Sequence, residues 1–245
     1  MSFPDSATAR QTALYGPRVK RSLGLVAALV ASAALALGPV GTAQAAPAKV
    51  LTKPQLKVAL LTVKDLPKGF KIDRSSAKDS SGDMEASSRA AGCARLVQAM
   101  NASPDPDAGV PQATVDFTRH HGMEAIENTV MSFRSAAAVK KDFASFVSPA
   151  KTCHRVVLTD PSDGTKIAFK LTHRKLRVNG YRTLLVTMHG RYDGVRMDFA
   201  IAGSQMRNNE VTVMTTGIEQ STTAETRQAK SLLSTATKKL AKHLH

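Results

Sequence analysis

The sequence predicts an α+β fold: an antiparallel sheet built largely from a C-terminal meander of hairpins, helices packed mainly on one face, and one disulfide. Three observations predict it. Between Thr165 and Ile218, apolar and polar residues alternate in runs separated by the turn dipeptides Asn179-Gly180, Asp193-Gly194 and Asn208-Asn209, with Asp163-Gly164 ahead of them; this is the signature of successive hairpins. Apolar residues spaced three and four apart flank that region on both sides, as amphipathic helices require. The two cysteines, Cys93 and Cys153, form an even pair.

Residues 1–45 read as a cleaved leader. A basic cluster at Arg18, Lys20 and Arg21 precedes an apolar run from Leu23 to Leu37, and Ala43-Gln44-Ala45 gives the small-x-small cleavage pattern before a mature start at Ala46. A retained anchor is the competing reading, but the run sits at the short edge of a membrane span. The expectation is a secreted protein whose residues 46–245 make one extracellular domain, long enough to bury a core of its own.

Within that domain, Thr52 and Pro54 open a helix with apolar residues at Leu56, Ala59, Leu60 and Val63. It ends at Leu66-Pro67-Lys68-Gly69, before a short strand around Phe70 to Asp73. Ser75 to Gly82 reads as an exposed loop. A second helix is expected from about Met84 to Met100, with Cys93, Leu96, Val97 and Met100 on one face, followed by the proline-rich connector Ser103 to Pro111. Ala113, Val115 and Phe117 mark a strand, His120-His121-Gly122 a turn, and Ala125 to Phe133 the returning strand. A third helix spans Ala136 to Val147 and is expected to stop at Pro149.

In the meander, two-residue turns fix the register. Positions summing to 359, 387 and 417 should pair across the last three turns, which lines Leu171, Met188, Phe199 and Ile218 along one face. Val211 and Val213 fall on the other face and point to an irregularity in the last turn. Thr222-Thr223-Ala224-Glu225 has the form of a capping box, opening a final helix with Ala229, Leu232, Leu233, Ala236 and Leu240 as its stripe.

The net charge of the whole chain is +15. The leader holds Arg10, Arg18, Lys20 and Arg21 against Asp5, which leaves the mature chain at about +12. Such a charge draws a protein toward anionic cell-surface polymers and lipid headgroups. Nucleic acid is not expected as a partner: the basic residues are interspersed with acids, and stacking aromatics are few, with no Trp and three Tyr.

An oxidising compartment favours a Cys93–Cys153 bridge. The alternative is a thiol nucleophile at Cys153 with His154 beside it. The register also predicts a polar row across four strands, Lys170, His189, Asp198 and Glu219, on the outer face of the meander. A His between a cation and a carboxylate can carry protons or clamp a ligand; facing opposite charges are equally ordinary sheet decoration. His120 and His121 are adjacent, without the spacing of metal ligands. The hydrolase elbow, the phosphate-binding loop and the dinucleotide fingerprint are all missing. No cofactor, metal or catalytic residue is expected.

The order of elements, with Leu66-Pro67-x-Gly69 closing the first helix and a cysteine on the second and after the third, resembles the sensor-like extracellular domains of some transmembrane Ser/Thr kinases of high-GC Gram-positive bacteria and of related exported proteins and lipoproteins. The resemblance covers residues 50 to 243 and implies a non-catalytic domain with a cleft for a ligand. The chain departs from that pattern in lacking a kinase, an anchor helix beyond the leader, a lipobox and a second disulfide. The expected function is a secreted ligand-binding or sensor-like domain whose partner is a small ligand or a cell-envelope component. The alternatives are a basic surface-associated protein holding anionic wall polymer or lipid, and a secreted enzyme or enzyme inhibitor using the row around His189.

Overall fold

A computed structural model describes residues 49–74, 85–101, 109–120, 124–161, 163–218 and 220–244. The expected leader, the loop from Ser75 to Gly82, His121-Gly122, Glu219 and most of the proline-rich connector lie outside them.

The described strands form one antiparallel sheet of nine: β1 (Lys71–Ile72), β2 (Glu85–Ser87), β3 (Gln112–Arg119), β4 (Glu124–Ser132), β5 (Arg155–Thr159), β6 (Lys166–Val178), β7 (Tyr181–Tyr192), β8 (Val195–Met206) and β9 (Asn209–Ile218). Their spatial order is β1-β3-β4-β9-β8-β7-β6-β5-β2. The helices are α1 (Lys53–Ala59), α2 (Ala94–Asn101), α3 (Ala136–Thr152) and α4 (Thr222–Ala241).

The class is the one the sequence predicts; the placement of the helices is different. They divide between both faces of the sheet. On one face α1 and α4 pack through Leu56, Leu232, Leu233 and Leu240 onto Phe117, Ile126, Val130, Ala200 and Val213. On the other, Phe169, Leu171, Met188 and Phe199 pack with Leu96 of α2 and the two cysteines, while α3 lays Phe143, Phe146 and Val147 over Leu184 and Val186. The reason is compositional: β4, β8 and β9 are apolar or internally satisfied at nearly every position, so a single layer of helices would leave one face wet.

The two tight turns at Asn179-Gly180 and Asp193-Gly194 are as predicted, with left-handed backbone at all four residues. The fourth turn is not. Met206 pairs with Asn209, so Arg207-Asn208 is the loop and the register sum is 415: Phe199 meets Thr216, not Ile218. Asn208 causes the shift, because its buried amide donates to the carbonyls of Phe133 and Lys49, and Asn209 is taken up by pairing with Ser132 of β4. A shift of two residues leaves each side chain on its predicted face, so Val211 and Val213 stay opposite the Leu171–Phe199 face and pack under α4.

The predicted second helix is correct only in its second half. Glu85–Ser87 joins the sheet beside β5, latched by the Asn101 side chain, which bonds both the N–H and the carbonyl of Ala86. The third helix runs through Pro149 to Thr152. Pro149 lacks the N–H that would bond Ser145, but Ser145 is exposed and its carbonyl can turn to water. The final helix is capped one residue earlier than expected: the Ser221 hydroxyl accepts from the Ala224 N–H. Glu225, read from sequence as the acidic member of a capping box, instead turns into the core against Gly217.

Cys93, in the turn before α2, is bridged to Cys153 at the end of α3, with Cα atoms 4.5 Å apart. The bridge closes the nucleophile alternative for Cys153. Replacing both cysteines by Ser should lower unfolding stability by about 4 kcal/mol on the chain-entropy account, read as a shift in the urea midpoint; an unchanged midpoint would show that α2 and α3 hold together without it.

Candidate functional site

Two regions gather polar chemistry. The first is the predicted row. Lys170 pairs with His189 and His189 with Asp198, as the register required. Beyond Asp198 the partner is Gly217, and Glu219 lies outside the described residues. The row is also not an outer face. It descends from exposed Lys170 to Asp198, which is fully buried beneath the first turn of α4. There Asp198 Oδ1 accepts from the Thr222 hydroxyl at 2.5 Å and lies 3.1 Å from His189 Nδ1, while Oδ2 accepts from Arg196 Nε at 2.6 Å. Arg196 also donates to Thr222 at 2.9 Å. The carboxylate thus ties side chains of β7 and β8 to the start of α4.

The second region went unnoticed in the sequence. α3 lies across β7 and β8 but leaves the far ends of β6 and β7 uncovered on its side, and a groove of about 500 Å³ opens between helix and hairpin. Strand periodicity explains its lining. Leu176 and Val178 face α4, so Lys175 and Arg177 face the groove, and Arg182 stands directly opposite Arg177. The hairpin tip is held on the opposite face, where the Asn179 amide donates to the Ser234 carbonyl and the Thr237 hydroxyl of α4. From α3 come Lys140 and Lys151, flanking an apolar floor of Phe143, Val147 and Leu184.

The signal for this groove was present as Lys175-x-Arg177 and Arg182 around a predicted turn, but only the tertiary placement of α3 turns those cations into a lining. Contact with Lys151, then its charge, then burial and the Arg182 charge lower the Lys175 pKa below its usual 10.5.

At the edge of this region Asp142 of α3 meets Glu210 of β9. Burial first, then the Asp142 charge, hold Glu210 well above the ordinary carboxylate range; burial pushes Asp142 up to about 7. Among the described residues no group of three His, Cys, Asp or Glu is placed to hold a metal ion. None of the described helices is long and apolar enough to cross a membrane.

Solved structures share this architecture. The chain has the fold of the extracellular domain of PknH from Mycobacterium tuberculosis, with 15% sequence identity, a TM-score of 0.56, and coverage of 78% of this chain and 99% of that one. An Rv0999 ortholog from Mycobacterium smegmatis aligns at 13% identity over 80% of this chain and 98% of its own, with a TM-score of 0.41. No protein-family model and no curated protein matches the sequence. The fold is therefore that of the PknH extracellular domain.

Two outcomes are expected. Asp198→Ala should cost about 3 kcal/mol, because it strands Arg196 and Thr222 beneath α4, whereas His189→Ala, at a side chain 40% exposed, should cost under about 1 kcal/mol; thermal unfolding of the two variants checks the contrast. The carboxyl pair sets a pH dependence. Asp142 binds its proton more tightly folded than unfolded, so stability is fully present below its unfolded pKa near 3.8 and falls as pH rises through about 7. Asp142→Asn should flatten that fall and raise the midpoint at pH 8; an unaltered pH profile would contradict it.

Proposed function

We propose that the protein is an exported, non-catalytic ligand-binding domain of the sensor-like type, and that the groove between α3 and the β6–β7 hairpin receives the ligand. The groove itself carries the reading. Its volume lies in the range of small-molecule sites, and it combines an apolar floor with convergent polar side chains. It is built on rigid elements: a 17-residue helix and two long paired strands. The shared fold with an extracellular domain supports export, as do the leader pattern and the disulfide.

A non-catalytic role is supported by how the polar groups are used. The Asp198 carboxylate is occupied in anchoring α4, and the cysteines are bridged. The row of Lys170, His189 and Asp198 is accordingly read as a support for the α4 start. On this account a domain of this kind signals or sequesters by binding alone.

Ala144 is an exposed α3 residue on the groove wall, so Ala144→Trp should fill the groove without disturbing the core. An extract of envelope and medium solutes below about 1 kDa (a size matched to such sites) should raise the melting midpoint of the wild type and leave that of Ala144→Trp unmoved. Equal shifts in both proteins would place binding elsewhere.

A further inference from the structure

Five cations line the groove, Lys140, Lys151, Lys175, Arg177 and Arg182, and no carboxylate does. Their arrangement is self-repulsive. Arg177 and Arg182 are a directly opposed like-charge pair on neighbouring strands, a placement that destabilises a sheet. Lys151 approaches Lys175 from the helix closely enough to disfavour the charge on Lys175. None of the five forms an ion pair with a described residue. The nearest acids offer no relief: Glu210, the register partner of groove-lining Gln205, is held toward its neutral form, and Asp142 is pushed up to about 7.

Among the described residues, ion pairs hold Arg119 to Glu124, Arg196 to Asp198 and Lys239 to Asp65. What distinguishes the five groove cations is their convergence on one concavity whose lining includes no carboxylate. Ammonium and guanidinium groups converging on a groove with an apolar floor match a multiply charged oxyanion carried on a small body.

We propose that the groove binds a phosphate-bearing ligand, its phosphoryl oxygens held between Lys151 and Lys175 and by the Arg177–Arg182 fork. This assignment rests on the ligand-binding reading above and adds the chemical class. The phosphate can belong to a soluble metabolite or to a lipid headgroup. The apolar floor of Phe143, Val147 and Leu184 accommodates the uncharged part in either case.

The test uses tripolyphosphate as the probe, titrated into the mature protein by calorimetry at constant ionic strength and followed by amide NMR. The expected result is saturable binding with shifts confined to α3 and the β6–β7 hairpin. Lys175→Gln and Arg182→Gln should each weaken it about tenfold, the scale of one charge-assisted hydrogen bond. Lys57→Gln, an exposed α1 residue with the same change in net charge, should leave affinity within about twofold of wild type, since a distant exposed charge is screened. Both groove variants should also unfold at higher temperature than wild type without ligand, as like-charge repulsion is relieved.

Phosphatidylglycerol vesicles distinguish the sources. Co-sedimentation that tripolyphosphate reverses identifies the lipid headgroup; tripolyphosphate binding without co-sedimentation identifies a soluble phosphate. Equal weakening by Lys57→Gln and Lys175→Gln would overturn the proposal, since binding would then follow net charge. Absence of tripolyphosphate binding would also overturn it. In that event, groove shifts caused by neutral oligosaccharides would leave the ligand-binding reading standing, and unresponsiveness to both probes would remove that reading too.

Discussion

The double burial of the central strands is the constraint on which the rest of the structure depends. β4, β9, β8 and most of β7 have side chains out of water on both faces. A sheet of that kind needs a layer on each side, and the chain supplies two unequal ones. α4, with 20 residues, and α1 seal one face, while α3 and the short α2 share the other, stitched by Cys93–Cys153. α3 packs over Leu184 and Val186 of β7, and the groove opens between it and the end of β6 with the start of β7. The groove is the remainder of this unequal coverage.

The same constraint explains the polar interior. Polar residues inside a doubly covered sheet must find partners within the protein, and several do so by fastening the covering segments. Asn128 of β4 accepts from Leu61 N–H and donates to the Thr212 carbonyl, and Ser132 accepts from Leu51 N–H. Asn208 holds the last turn against Phe133, and Asp198 holds the start of α4. Three carboxyls are exceptions: the Glu210–Asp142 pair and Glu225, whose burial favours their protonated forms. Buried polar groups here set where helices and turns sit; the groove, by contrast, leaves charge unopposed.

Much of this was legible from sequence wherever the signal was local. The Asn-Gly and Asp-Gly turns fixed two hairpins and hence the adjacency of Lys170, His189 and Asp198. The spacing of Leu232, Leu233 and Leu240 identified α4, and an even cysteine count pointed to the bridge. What failed depended on distant partners. Asn208-Asn209 looks like a turn, but the turn shifts because Asn208 bonds Phe133 and Lys49. Met84 to Met100 has helical spacing, yet β5 recruits Glu85–Ser87 as an edge strand. Glu225 fits a capping box, and burial against Gly217 takes it inward. The groove was invisible for the same reason: Lys140 and Lys151 lie 24 to 42 residues from Lys175 and Arg182, and only the position of α3 brings them together.

The proposed function is that of an exported domain that works by binding. Native mass spectrometry of the mature protein purified from culture supernatant, run beside Ala144→Trp prepared identically, tests this most directly. A retained small molecule on the wild type that is lost from the variant is the outcome this account predicts. A wild type carrying nothing, or an adduct that persists when the groove is filled, would contradict it.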